Sequence, residues 1–295
     1  MNVEQRVGIV GVGNMGGGMA RNLLARGWEV EVFDIDPVVV KKLEPFGAIS
    51  REGISQLAIS NRAIIIAVVT ADQTRRVLFG ADGAGGLAAQ LAAGSTVVLC
   101  PTMAPQDVES IAQALHAQAI HTIDAPMSGG PARAADGSMS LMVACPEPVY
   151  LRNAALIAAL SSKVFRLGER VGDGARTKLV NNLLAGINLV GAAEVMVMAQ
   201  TMGLDPARTL DVIGQSSGQS WIAEDRMRRA LLADYAPRAH MTLLQKDTRL
   251  AVQAAEAAGF RGPLGAHAAE VFAQASRAGW AELDDAALFR FLSDH

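Results

Sequence analysis

The sequence predicts an α/β fold: a doubly wound parallel sheet over residues 1–167, then an all-α domain over residues 168–295. Three features predict it. Short apolar runs alternate with helix-patterned segments through the first half. A glycine-rich turn lies between the first of those runs and the first helix. From Gly174 the pattern becomes helical and stays so. A chain of 295 residues is long enough for two separate cores.

Arg6–Val10 is apolar throughout its last four positions, as a central parallel strand must be when helices cover both faces. Gly11-Val12-Gly13-Asn14-Met15-Gly16 follows at once, and residues 19–25 carry a helical pattern that ends at Gly27. Glu29–Phe33 alternates and reads as a second strand, closed by Asp34, 23 residues after Gly11. A GxGxxG match alone is weak. Set between a strand and a helix, with an acid ending the next strand, it is the fingerprint of a Rossmann dinucleotide-binding unit. Gly11 permits the tight turn, Gly13 lets a pyrophosphate reach the backbone, and Gly16 lets helix and strand pack closely. Asn14 and Met15, between the glycines, belong to the same expected cofactor surface. The carboxylate of Asp34 can bond both ribose hydroxyls and repels a 2′-phosphate, which favours NAD over NADP. Asp36 adds to that repulsion, and Lys41 and Lys42 read as a solvated face.

The alternation continues with a strand at 63–69, a helix opened by Thr70, a loop at 80–86, a strand at 95–100, a helix from Pro105 to Leu115 and a strand at 120–124. In such a sheet ligands bind at the carboxyl ends of the strands. Val69, Thr70 and Thr102 fall at those ends and are further cofactor candidates; Thr102 reads equally well as a helix cap. Asp124-Ala-Pro-Met-Ser128-Gly129-Gly130-Pro131 follows a strand. Its glycines allow close approach of a ligand, and its N–H groups and the Ser128 hydroxyl can hold a carboxylate or oxyanion. Arg133 reads as a surface arginine. A strand at 138–144, a helix through Leu160 and a strand at 163–167 complete the half.

The second half opens on a helix expected over 174–202, long enough to be the spine of its domain. Helices are expected from Asp205-Pro206, from the polar stretch before Trp221 through Leu232, from Leu243 to just before Gly259, and over 263–278. Trp221 reads as a pocket or a core residue. Lys178 and Asn182 stand at i and i+4 on the long helix, among apolar neighbours. A lysine there either snorkels to water or is used; burial lowers a lysine pKa toward the range of a general base.

Composition narrows the function classes. A formal net charge of −3 offers no footprint for nucleic acid or an anionic membrane surface. No uninterrupted apolar run reaches the length of a membrane span, and the first residues lack the layout of a signal peptide. Cys100 and Cys145 are too few for a disulfide framework, and His116, His121, His240, His267 and His295 form no ligand set, so no metal is expected. A cytoplasmic, reducing-compartment protein is expected.

Taken together, the dinucleotide unit, the Ser-Gly-Gly loop and the GxxxKxxxN helix resemble the β-hydroxyacid dehydrogenase family, of the 3-hydroxyisobutyrate dehydrogenase type, over essentially the whole chain. Residues 11–16 match its cofactor signature, 124–130 its substrate loop, 174–182 its catalytic helix, and Lys246-Asp247 its Lys-Asp segment near the nicotinamide. Residues 216–227 and 278–285 are most similar to the L-threonate dehydrogenase subgroup. Two positions depart from the pattern. Pro101-Thr102 stands where the family has Ser-Thr, and Asn181-Asn182 stands where the threonate subgroup often has His-Gln, matching the hydroxyisobutyrate type instead.

The resemblance implies an NAD-dependent oxidoreductase acting on a small hydroxy acid. Lys178 would be the general acid/base, Ser128, Gly129, Gly130 and Asn182 would hold the substrate, and Thr102 and Lys246 would contact the cofactor. It also implies a homodimer or homotetramer. L-threonate, 3-hydroxyisobutyrate, glycerate-type acids and 3-hydroxy amino acids stay open as substrates, as does the choice of C2 or C3 hydroxyl. A dinucleotide-binding module without turnover is the reading from another class; it has no need of Lys178 with Asn182 beside a Ser-Gly-Gly loop.

Overall fold

The computed structural model describes residues 5–81 and 85–294. The first residues of the chain, part of the loop expected at 80–86, and His295 lie outside the described residues. The chain divides into two compact units, Met1–Lys178 and Leu179–His295.

The first unit holds a nine-stranded sheet. Its strands are β1 (Arg6–Val10), β2 (Glu29–Phe33), β3 (Ile49–Ser50), β4 (Ala63–Ile66), β5 (Thr96–Leu99), β6 (His121–Asp124), β7 (Met127–Ser128), β8 (Ser140–Ala144) and β9 (Lys163–Gly168). The order is β3-β2-β1-β4-β5-β6-β8-β7, with β9 on β8. Helices α1 (Asn14–Ala25), α2 (Pro37–Lys41), α3 (Ile54–Ser60), α4 (Ala71–Phe79), α5 (Pro105–His116), α6 (Gly130–Asp136), α7 (Glu147–Arg152) and α8 (Ala154–Leu160) connect them. Strands β1 to β6 pair in parallel. Strand order reverses at β1, which lies between β2 and β4, and the glycine turn follows β1 at that switch point.

The expected sheet was parallel throughout; β8 instead runs antiparallel to both β6 and β7. The short link from Ser128 to Ser140, which holds α6, is below the dozen or so residues a parallel crossover needs. The continuous apolar runs reflect burial on both faces. In β4, Ile64 and Ile66 pack into one core and Ile65 into the other; in β5, Val97 and Leu99 face one way and Val98 the other.

Local chemistry accounts for further departures from the expected elements. The helix expected to run through Leu160 is two helices meeting at Asn153. The Asn153 side-chain amide donates to the Val149 carbonyl at 2.8 Å and to the Thr96 hydroxyl at 3.2 Å. In β2, Glu31 is fully buried, and Arg51 donates to both its carboxylate oxygens at 2.8 Å.

Helix α9 (Asp173–Thr201) begins in the first unit and continues into the second, which also holds α10 (Pro206–Gly214), α11 (Trp221–Leu231), α12 (Met241–Ala257), α13 (Pro263–Ala275) and α14 (Leu288–Ser293). Its core gathers Leu189, Ala193, Met196, Met227, Met241, Phe272 and Phe289. The last expected helix, 263–278, ends as an α-helix at Ala275 and passes into a wide turn in which Gly279 has φ +95°. Helix α9 is long and apolar enough to cross a membrane by length and composition; part of that apolar surface, Leu189, Ala193 and Met196, is core. Trp221 is half exposed and is not a core residue; Arg226 lies over its ring at 6.0 Å.

Candidate active site

The glycine turn has the geometry a pyrophosphate requires. Gly11 stands at φ +86°, and its N–H donates to the Phe33 carbonyl at 3.0 Å. A Cβ on Gly16 would lie 1.9 Å from the Gly11 carbonyl oxygen, so only glycine lets α1 start this close to the strand. Gly13 faces open space, and no side chain caps α1. The positive end of the α1 dipole lies at Asn14 and Met15 and suits anionic oxygens. The Asp34 carboxylate accepts the Val12 N–H at 2.7 Å on one oxygen and the Asp36 N–H at 3.0 Å on the other, which fixes it at the end of β2 beside the turn. These residues fit a dinucleotide. Gly18 extends the motif in a way the sequence did not disclose: a Cβ there would lie 2.9 Å from Ala134 Cβ and 3.0 Å from the Pro131 carbonyl oxygen, so α1 and α6 pack backbone to backbone.

At the other strand ends, β4 stops at Ile66 and leaves Val69 exposed. Thr70 caps α4: its hydroxyl accepts the Gln73 N–H and its own N–H donates to the Gln73 side chain, both at 3.1 Å. Thr102 is half-buried beyond β5. The cap position of α5 is held by Ala104, two residues further on.

The substrate-loop candidates sit on a short hairpin. Ser128 ends β7 opposite Ser140. Gly129 and Gly130 follow with φ +132° and +76°, backbone that side chains other than glycine rarely adopt. Arg133 is half-buried, and its stem packs against Gly129, close to where a Cβ on that residue would stand.

Asp124, at the start of this loop, is the residue sequence reasoning passed over. It is 1 % exposed. One carboxylate oxygen accepts the N–H of Gly172 at 2.8 Å and of Ala175 at 3.0 Å, at the start of α9. A Cβ on Gly174 would lie 2.8 Å from the Asp124 carboxyl carbon, so the helix backbone rests directly on the carboxylate. Burial pushes the Asp124 pKa up to about 6, against the backbone N–H groups that favour its charged form. Only the fold brings an aspartate to helix N–H groups some 50 residues further on.

Lys178 lies in the second turn of α9, 6 % exposed, between buried Ala175 and Leu179. Within the second unit, Asn182 is 8 % exposed and its amide donates to one oxygen of the buried Asp247 carboxylate at 2.6 Å. Lys246 donates to the other oxygen at 2.6 Å. Asp247 thus orients both the asparagine and the lysine that the sequence singles out there. The two cysteines are buried and unbridged, and burial pushes Cys100 up to about 12 and Cys145 up to about 11.

A family model described as the NAD binding domain of 6-phosphogluconate dehydrogenase matches residues 6–168, and one described as NAD-binding of NADP-dependent 3-hydroxyisobutyrate dehydrogenase matches residues 172–292. The chain belongs to the β-hydroxyacid dehydrogenase family. Among curated relatives, L-threonate dehydrogenase of Cupriavidus necator is 36 % identical, over 98 % of this chain and 96 % of its own. The 3-hydroxyisobutyrate dehydrogenase of Pseudomonas aeruginosa is 33 % identical, over 90 % of each. A crystal structure of 3-hydroxyisobutyrate dehydrogenase from Salmonella typhimurium superposes with a TM-score of 0.90 at 35 % identity, covering 97 % of this chain and 99 % of that one. As a β-hydroxyacid dehydrogenase, the protein is an NAD-dependent oxidoreductase with a Rossmann domain followed by a helical domain.

Proposed function

We propose that this dehydrogenase transfers hydride between NAD and a small hydroxy acid of the L-threonate type, with Lys178 as general acid/base. One observation carries the reading: a buried lysine stands on a helix whose first turn is bonded to the strand end that opens the Ser128-Gly129-Gly130 loop. A lysine is seldom taken out of water without a use.

The bound nicotinamide supplies the hydride acceptor in oxidation and the hydride donor in reduction. Ser128, Gly129 and Gly130 hold the substrate carboxylate through the serine hydroxyl and successive backbone N–H groups. Lys178 Nζ takes the hydroxyl proton during oxidation and returns it to the carbonyl oxygen during reduction. A base so placed is worth roughly 10²- to 10⁴-fold in rate. Asn182 assists on the substrate. Gly11, Gly13, Asn14, Met15 and Gly16 receive the pyrophosphate. Asp34 receives the ribose and excludes a 2′-phosphate. Val69, Thr70, Thr102 and Lys246 complete the cofactor surface.

Asn181-Asn182 favours a second substrate reading within the same chemistry, 3-hydroxyisobutyrate or a 3-hydroxy amino acid. The experiment is one panel: L-threonate, D-threonate, 3-hydroxyisobutyrate, D-glycerate, L-serine and D-threonine, each with NAD and with NADP, on wild type and Lys178→Ala. Turnover on L-threonate with NAD, lost in Lys178→Ala while NADH still binds, supports the reading. A preference for 3-hydroxyisobutyrate or an amino acid replaces the substrate. A preference for NADP overturns the role of Asp34, and full turnover in Lys178→Ala overturns the role of the lysine. NADH binding without turnover on any substrate supports a binding module.

The protein is further proposed to self-associate through α9. Val180, Leu184, Val195 and Met198 are exposed, with half-buried Ile187 on the same stripe and exposed Met202 just past the helix end. Their positions are symmetric about Gly191, which faces open space. Two copies of such a helix crossing antiparallel bring like residues together across a two-fold axis. Light scattering that gives twice or four times the chain mass supports this, and a monomer at micromolar concentration refutes it.

A further inference from the structure

We propose that Asp124 is a positioning residue for Lys178: its buried carboxylate clamps the first turn of α9 to the strand end that opens the substrate loop, and so sets where the lysine amine stands. The inference rests on the reading of Lys178 as the acid/base. Asp124 ends β6 and is followed within four residues by Ser128. The N–H groups of Gly172 and Ala175 converge on one of its oxygens at 2.8 and 3.0 Å. Ala175 precedes Lys178 by a single turn, so any slip of that turn moves the amine by a comparable distance. Gly174 is pressed against the same carboxylate, with no room for a Cβ. Loop and helix therefore share one anchor.

Three features make the clamp firm. The carboxylate is removed from water, so its bonds to the N–H groups are not exchanged for bonds to solvent. It is acceptor-only when ionised, which suits two converging donors. A second, independent tie fixes the far side of the same turn: Arg176 donates to Glu109 of α5 at 2.5 Å and to Asp173 at 3.1 Å. With the turn held at both sides, misplacement of the lysine requires that a bonded anchor break. A displacement of about 1 Å at a reacting group can reduce rate on the order of 10²-fold.

The test compares wild type, Asp124→Asn and Lys178→Ala by steady-state kinetics, NADH fluorescence titration and amide hydrogen exchange. Asp124→Asn keeps the shape and removes the charge. The expected result is a kcat lower by about tenfold or more, KM and NADH affinity within about twofold, and faster exchange at the Gly172 and Ala175 amides. If Asp124→Asn does not accumulate as folded protein, Gly174→Ala, which pushes on the same carboxylate, is scored identically. Unchanged kcat in the folded variant overturns the proposal. So does a proportional loss of kcat and NADH affinity, which marks general damage, or unchanged exchange at both amides. Failure of the underlying reading is separate: it is full turnover in Lys178→Ala, whatever the Asp124 variant does.

Discussion

Replacing Asp247 by alanine should destabilise the second unit and weaken cofactor binding together. Asp247 is 7 % exposed, and its two oxygens are each bonded at 2.6 Å, one by Lys246 and one by Asn182. A hydrogen bond to a charged group contributes about 1.5–3 kcal/mol, and stranding a buried partner adds its desolvation penalty. Lys246 keeps partial access to water, with a side chain 17 % exposed, so its ammonium is rehydrated in part once the carboxylate is gone. Asn182, on the packed face of α9, is not rehydrated to the same extent. Taken at the low end of that range for both bonds, with the rehydration of Lys246 offsetting the penalty, the sum is about 3 kcal/mol. At 2–4 °C per kcal/mol, that corresponds to a fall in Tm of roughly 10 °C. Asp247→Asn, which retains an acceptor for Asn182 but not the charge opposite Lys246, should lose about half as much. Calorimetry reads the stability, and NADH fluorescence titration reads the proposed role of Lys246. A Tm within about 2 °C of wild type for Asp247→Ala, with NADH affinity unchanged, would refute the view that this carboxylate organises the pair.

Gly16→Ala should lower NADH affinity by at least about tenfold, about 1.4 kcal/mol, because its Cβ would stand 1.9 Å from the Gly11 carbonyl oxygen and must displace the turn; titration of the folded variant checks it. Arg51→Ala should cost about 3 kcal/mol by denaturant unfolding, since it takes both 2.8 Å bonds from the fully buried Glu31 and leaves it the longer contact with Arg6 at 4.0 Å. Cys100 and Cys145, pushed up to about 12 and about 11, remain thiols at pH 8 and should resist an aromatic disulfide reagent until the protein is unfolded; rapid native labelling of either would contradict their burial.

Much of the candidate site could be read from the chain because its chemistry depends on residues close together in sequence. The turn Gly11 to Gly16 is constrained by φ and by close approach, both properties of the glycines themselves. The Ser-Gly-Gly loop, with φ +132° and +76° at its glycines, is legible for the same reason. Thr70 was legible as the residue that opens α4, because its hydroxyl accepts from Gln73 only one turn away. The burial of Glu31 was not legible, because nothing in its own strand discloses the partner that burial requires. Here an arginine 20 residues on neutralises it inside the protein.

The alternation of apolar runs and helices specified the class of fold, because burial on both faces of a sheet demands that pattern in the chain itself. The helical second half was specified in the same way, by a period of 3.6 residues. The direction of β8, the backbone contact of Gly18 with α6, the carboxylate of Asp124 beneath the first turn of α9, and the bridge from Asp247 to Lys246 and Asn182 were specified by folding alone. The contact of Gly18 with α6, the bonds of Asp124 to Gly172 and Ala175 and the bond of Asn182 to Asp247 join groups far apart in sequence, and the bonds among them, at 2.6 to 3.0 Å, are encoded by no local preference. Periodicity records which side of an element is buried; it does not record which buried group that side will meet.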